Sequence, residues 1–583
     1  MSKHLYSRRP LATLALAVLL SVWCAHAQPV SAQNAPPEEK SDSIRGVVVN
    51  SVTGEPVGRA LVYSFDNRFA MFADSEGRFE FTFPQADSDK NKVDESGSAD
   101  RFPRRGQNLQ IVLVAKKPGF LEDHMGIQNP QTDSAGKEIT IRLTPEALVV
   151  GRVVLPTSEP SDIIQLELYR RQVQEGRAHW IISGTATTKS SGDFRFAELP
   201  AGSYKLLTRE LLDRDPLTFD PRGQLYGYPP VYFPNATNFE AAQTIQLTAG
   251  QTFQAEISLV RRAYYPVKVA VANVPGNVPG FSIVVSPQGR RGPGYALGYN
   301  NQAQTIEGLL PDGNYTLEAE SAGPAASGMV NISVKGGAAE GSRMTVVPSG
   351  QIRVDVKEEF APNEETNSPT FVVHSGPADV NAQGPRRYLN VRLEPADDFG
   401  QRGSVWLRNP SGPDDDSLVI ENVWPGRYWV RVDTSRGYVA SINSGTTDLQ
   451  HQPLAVGLGG SSSPIEITMR DDAAEIDGTI EGLTASSAST AQVADGSSAH
   501  LYCIPLPDSS GEFKDIWVQP DGKFGPQQMS PGTYRVLAFD RPQPDLEYRN
   551  PEAMRAYDAK GQLVRLIAGQ KEHLHLQLAS TSE

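Results

Sequence analysis

The stretch LPAGSYKLL, residues 199–207, decides how the chain is read. A proline, a glycine and a tyrosine stand at fixed spacing ahead of an apolar run. Pro200 presets φ at the second position of a turn and Gly202 takes the fourth, as a type I turn allows. The chain then reverses into a strand whose first large residue is Tyr204. The same element recurs as LPDGNY at 310–315, WPGRY at 424–428 and SPGTY at 530–534. In WPGRY, Gly426 falls at the third position, where a type II turn needs positive φ. The tyrosines, Tyr204, Tyr315, Tyr428 and Tyr534, are 111, 113 and 106 residues apart. Near-periodic copies mark a repeated structural device rather than a catalytic group. The expected role is a corner: a ring buried between sheets, its hydroxyl bonded to nearby backbone.

Other segments keep the same period. SEGRFEF at 75–81 matches SSGDFRF at 190–196, and PDGKF at 520–524 repeats the turn. TAGQTFQAEISL at 248–259 matches IAGQKEHLHLQL at 567–578. Short alternating runs such as RGVVVN, QIVLVAKK, ITIRL and QIRVDVKEEF are bounded by Gly, Pro, Asn, Asp or Ser, and long helical periodicity is nearly absent. That is the pattern of tandem all-β sandwiches. Units of ~110 residues, a common domain size, would fill the chain after residue 43 five times. The expected boundaries are 44–145, 146–262 with an aromatic-rich connection, 263–349, 350–471 and 472–583. Near the end, Asn550 can cap a short helix with Pro551 in its first turn.

Residues 1–27 read as a secretory signal. Lys3, Arg8 and Arg9 precede the apolar Leu11–Cys24, and Ala25-His26-Ala27 offers a cleavage site before Gln28. Ser7-Arg8-Arg9-Pro10-Leu11 also resembles a twin-arginine signal. Residues 28–43 read as a linker. The expected compartment is the periplasm or the cell exterior. No other run reaches the length of a membrane span. Cleavage would leave Cys503 as the one cysteine, so no internal disulfide is expected. The chain has 54 basic and 68 acidic residues; loss of Lys3, Arg8 and Arg9 leaves 51 against 68, or −17. An acidic chain of this kind argues against nucleic acid and anionic membrane as partners.

The first unit resembles the carboxypeptidase regulatory-like domain family. The residues that carry the likeness are Gly46, Thr53-Gly54-Glu55-Pro56, Ala60, Val62, Asp74, Gly77, Phe79 and Phe81. The second unit shares it through GDFRFAELPAGSYKLL, Gly192 to Leu207. The resemblance implies transthyretin-like, seven-stranded sandwiches. It covers roughly the first 220 residues after the leader, and the remaining units share only the turn and its tyrosine. The first unit departs from the pattern: a polar stretch at 85–108 replaces the Pro-x-Gly-x-Tyr turn. The family name refers to a domain beside a zinc peptidase, and no His-x-x-Glu zinc pattern occurs here.

No nucleophile elbow, P-loop, dinucleotide fingerprint or EF-hand loop is present. His573 and His575 share a strand face without an evident third ligand, and Asp414–Asp416 read as a solvated loop tip, so neither metal nor cofactor is expected. The strongest binding candidate is YGYPPVYFP, where prolines stiffen Tyr226, Tyr228, Tyr232 and Phe233 into a platform suited to sugar rings or an extended peptide. Packing of those rings at a domain junction is the competing reading. RRGPGYALGYN, 290–300, is a second aromatic loop. The expected function is a non-catalytic binding or structural scaffold with a protein partner in the envelope or outside the cell. The alternative is carbohydrate binding, with an envelope polysaccharide as partner.

Overall fold

The computed structural model describes residues 42–64, 69–83, 111–122, 131–132, 138–156, 163–212, 224–276, 280–287, 294–321, 326–361, 384–397, 403–412, 415–460, 462–483, 499–507, 509, 511–519 and 521–579. The leader expected at 1–27, nearly all of the linker and the polar stretch at 85–108 lie outside them.

The described chain is a tandem array of five β-sandwiches, each made of two sheets closed over one core. Every unit begins with a strand that pairs in parallel with a late strand of the same unit. The pairs are Asp42–Asn50 with Glu138–Leu143, Ala147–Val154 with Thr252–Ser258, and Arg262–Ala272 with Ala339–Thr345. Ile352–Glu359 with Ile465–Arg470, and Ala474–Glu481 with Lys571–Gln577, complete the set. A parallel pair needs a long crossover between its strands, and here the rest of the unit supplies it. It also sends the chain out at the end opposite its entry, so consecutive units can follow in file.

In the first, second and fifth units a glycine sits mid-way along the opening strand. Gly46 pairs with Phe79 and Ile139, Gly151 with Phe194 and Ala255, and Gly478 with Phe524 and Leu574. At Gly46 and Gly151 the phenyl ring covers the place a side chain would occupy, and at Gly478 the Leu574 backbone does. A Cβ on Gly151 would stand 1.8 Å from the Ala255 carbonyl oxygen and 2.8 Å from the Phe194 ring. Phe79, Phe194 and Phe524 are all buried. In the first two units the Gly-x-Phe turn therefore delivers a ring that closes over a bare backbone, and in the fifth it sets Phe524 opposite Gly478.

The turn tyrosines lie in the opposite sheets, on strands Gly202–Thr208, Gly313–Ser321, Gly426–Thr434 and Gly532–Phe539. Tyr204, Tyr315, Tyr428 and Tyr534 are at most 3% exposed. Each hydroxyl donates to the carbonyl four residues earlier: Pro200 at 2.6 Å, Pro311 at 2.9 Å, Trp424 at 2.9 Å and Ser530 at 2.7 Å. One side chain thus fills the core and ties off the turn that introduced it.

A short helix, Pro551–Met554, is capped by the Asn550 side chain, which accepts from the amides of Glu552 and Ala553. No helix among the described residues is long and apolar enough to cross a membrane.

Removing only the hydroxyl, Tyr204→Phe, leaves the Pro200 carbonyl without its donor and should destabilise the second unit by ~1–2 kcal/mol. Tyr204→Ala should cost ~3–5 kcal/mol, the range for a deleted buried aromatic. Chemical denaturation followed by fluorescence reads both, and equal losses in the two variants would contradict the hydroxyl's part in the turn.

Candidate functional site

Among the described residues two places bring distant chemistry together, and both lie between units. The first contains the aromatic stretch. After Thr208 the chain leaves the second sandwich, and strand Leu225–Tyr228 pairs antiparallel with Arg262–Ala272 of the third: Leu225 opposite Tyr264, Tyr226 opposite Ala263, Gly227 opposite Arg262. Leu211–Leu212 pairs with its outer edge. A segment placed by sequence in the second unit thus extends the sheet of the third.

The rings that follow point inward. Tyr228, Tyr232 and Phe233 are 6%, 5% and 7% exposed, which removes them from any open platform. Tyr232 meets Phe239 edge-on at 6.2 Å, and Tyr169 and Trp180 meet the same ring at 5.3 and 5.7 Å. Lys205 donates to the Phe239 carbonyl at 2.8 Å, with its ammonium 4.7 Å from that ring's centroid. Phe233 packs against Phe253 at 5.8 Å. Only Tyr226 keeps partial exposure, and the Arg261 guanidinium lies over it at 4.3 Å. The second aromatic loop closes the junction from the other side. Tyr295 packs on Tyr315 at 5.4 Å, while Glu210 accepts from the Ala296 amide at 3.3 Å and donates its own amide to Gly294. Burial pushes the Glu210 carboxyl up to about 7.

The second place was not legible in sequence. Strands Gln165–Gln174 and Arg177–Thr187 form a long hairpin whose tip is Glu175-Gly176. Their φ values, 48° and 72°, are those of a two-residue hairpin turn with both central residues left-handed. The tip inserts between the fourth and fifth units. Tyr548 lies flat against Gly176, where a Cβ would come within 2.7 Å of the ring. Arg549 donates from its amide to the Gly176 carbonyl at 3.1 Å and from Nε to the Glu175 carbonyl at 2.9 Å. Arg171 pairs with Glu547 at 2.5 Å. On the fourth unit, Arg392 bridges Glu175 at 3.3 Å and Asp433 at 2.8 Å, and the Arg177 guanidinium stacks 3.7 Å over Trp429. His179 Nδ1 lies 3.1 Å from the Asp397 carbonyl.

These contacts leave a cleft of about 150 Å³ lined by Arg392, Arg431, Asp433, Glu512, Phe513 and Arg549 among others. Arg431 is 11% exposed and pairs with Glu394 at 2.8 Å. Burial and the neighbouring Arg549 charge hold the Arg431 guanidinium below its usual range, and burial with the same neighbour pushes Arg177 down to about 10. Phe513 stacks on Tyr548 with centroids 3.7 Å apart. Glu512 keeps a little surface, yet burial pushes its carboxyl up to about 7. Two of the three carboxylates lining the cleft, Glu175 and Asp433, are bound to Arg392, so the cleft is built as a charged joint between units rather than as an acid–base pair.

The remaining candidates have local explanations. Asp415 accepts from Ser411 and Ser417 and pairs with Arg408 at 2.8 Å, which holds its carboxyl well below the usual range; Asp414 lies outside the described residues. Cys503 is buried, and burial pushes its thiol up to about 12. Among the described residues no group of three or more His, Cys, Asp or Glu side chains is arranged to hold a metal.

No family model matches this chain, and no curated protein matches it. Among solved structures it is similar to the Bacillus anthracis TIE protein, at 8% identity over 74% of each chain with a TM-score of 0.14. It is similar to two B repeat units of the collagen-binding protein of Staphylococcus aureus, at 12% identity over 74% of this chain and 100% of that one, TM-score 0.12. The minor pilin GBS52 of Streptococcus agalactiae matches at 14% identity over 35% of this chain and 97% of that one, TM-score 0.17. At TM-scores this low none of these likenesses carries an argument about function.

The Glu512 shift has a definite sign. Its folded value of about 7 stands above the ordinary 4.5, so the folded chain binds more protons between those values. The resulting stabilisation is fully present below about pH 4.5 and is lost as the pH rises through about 7. Glu512→Gln should therefore raise the melting temperature at pH 8 and leave it nearly unchanged at pH 4.5, a difference on the order of 3 kcal/mol. A variant that tracks the parent at both pH values would contradict the burial of this carboxyl at the joint.

Proposed function

We propose that the chain is an exported, non-catalytic scaffold of five sandwiches, of which the second to fifth act as one jointed body that presents its surface to a protein partner in the envelope or outside the cell. The observation that carries this reading is the strand Leu225–Tyr228, hydrogen-bonded into the sheet of the following unit. A backbone ladder across a unit boundary resists bending in a way that a linker does not. The tip Glu175-Gly176 supports the same reading, because it ties the second unit to two others far along the chain. Export rests on the leader read in the sequence, and assignment of the first unit to the carboxypeptidase regulatory-like family rests on its motif residues.

Carbohydrate binding is the weaker reading because the rings that suggested it fill the junction. The test is a binding screen of the chain from Gln28 onward against envelope and plant polysaccharides, beside Tyr226→Ala, which alters the one ring of the stretch that keeps exposure. The expected result is no saturable binding by either protein. Saturable binding by the parent that is lost in Tyr226→Ala would overturn the scaffold reading in favour of a sugar site.

A further inference from the structure

The outer face of the smaller sheet of the fifth unit carries two histidines that the scaffold does not use. On strand Lys571–Gln577, His573 and His575 alternate with the buried Leu574 and Leu576, so both imidazoles stand on the solvent side. Their centroids are 4.8 Å apart, with the rings 74° from parallel. The strand pairs in parallel with Ala474–Glu481, which sets Asp477 beside His573 and Thr479 beside His575.

Each imidazole is engaged by that neighbour through the same nitrogen. His573 Nδ1 donates to Asp477 Oδ1 at 2.6 Å. His575 Nδ1 lies 3.1 Å from the Thr479 hydroxyl, which can accept the same kind of bond. A ring whose Nδ1 carries the proton presents a bare lone pair at Nε2. With each Nδ1 turned toward the neighbouring strand, each Nε2 lies on the far side of its ring. A carboxylate on Nδ1 also raises the basicity of the opposite nitrogen, the arrangement that commonly backs a metal-bound histidine.

The spacing suits one small ion. Metal–nitrogen bonds of about 2.0–2.1 Å at a tetrahedral angle put two ligating nitrogens about 3.4 Å apart. Two imidazoles that share an ion at that geometry have ring centroids about 5 Å apart, close to the 4.8 Å found here. Asp477 and Glu481 on the adjoining strand place negative charge at this face, while Glu475 is paired with Lys571 at 3.1 Å. We propose that His573 and His575 form a two-imidazole surface site for a borderline divalent cation of the zinc and copper class, with Asp477 orienting His573 and water completing the shell. Imidazole and the sheet geometry favour such ions over calcium or magnesium, which prefer oxygen ligands.

The test is calorimetric titration of the chain from Gln28 onward with zinc chloride, and with magnesium chloride as the comparison. One saturable zinc site is expected and none for magnesium. His573→Ala and His575→Ala should each weaken zinc binding at least tenfold, and Asp477→Asn about tenfold. All three positions are at the surface, so melting temperatures without metal should match the parent and exclude misfolding as the cause. No zinc binding, or binding that survives unchanged in any of the three variants, overturns the assignment.

Discussion

The backbone pairing of Leu225–Tyr228 with Arg262–Ala272 is the constraint on which the arrangement of this molecule depends. The second sandwich does not hand over to the third through a bare linker. It first gives up a segment to the neighbouring sheet, then returns to fill its own flank with Tyr232 and Phe233. Edge strands offer unpaired donors and acceptors that must be covered or satisfied. Here the preceding unit covers one, and the same hydrogen bonds fix the angle between the two units. Rings from both aromatic loops then exclude water from the seam, which strengthens the polar contacts of Glu210 with Gly294 and Ala296.

Within the units, two repeated devices do most of the specifying, and they differ in how well a sequence displays them. The tyrosine turn is local: proline, glycine and tyrosine lie within six residues, and the hydroxyl reaches a carbonyl only four residues back. Such an element can be recognised before any tertiary contact is known. The glycine under the phenylalanine is half visible. The turns that carry Phe79, Phe194 and Phe524 are local, but Gly151 and Gly478 gain their meaning from strands that arrive roughly 40 to 100 residues later. The fold class was therefore readable, because alternation and turn chemistry are short-range properties.

The joints were not readable in the same way. The stretch YGYPPVYFP displays its aromatic content, but composition does not say whether rings face water or a neighbouring sheet. Three of the four turned inward because Phe239, Trp180, Phe253 and the third unit offered apolar surface on that side. Glu175-Gly176 forms a two-residue hairpin turn. Its role comes from Tyr548, Arg549 and Arg392, between about 215 and 375 residues away in sequence, and no local pattern joins them. The density of arginine around the tip, Arg170, Arg171 and Arg177, was the one available signal: guanidinium groups on an otherwise ordinary hairpin suit a charged interface with carboxylates and aromatic faces.

These joints make one body of the second to fifth sandwiches, with the second unit held against the fourth and fifth. Small-angle X-ray scattering from the chain beginning at Gln28 tests it most directly. The expected result is a profile of a folded-back particle that matches the described units in their observed arrangement, with a bell-shaped Kratky plot. An extended maximum dimension with a plateau in that plot, as flexible strings of domains give, would contradict it.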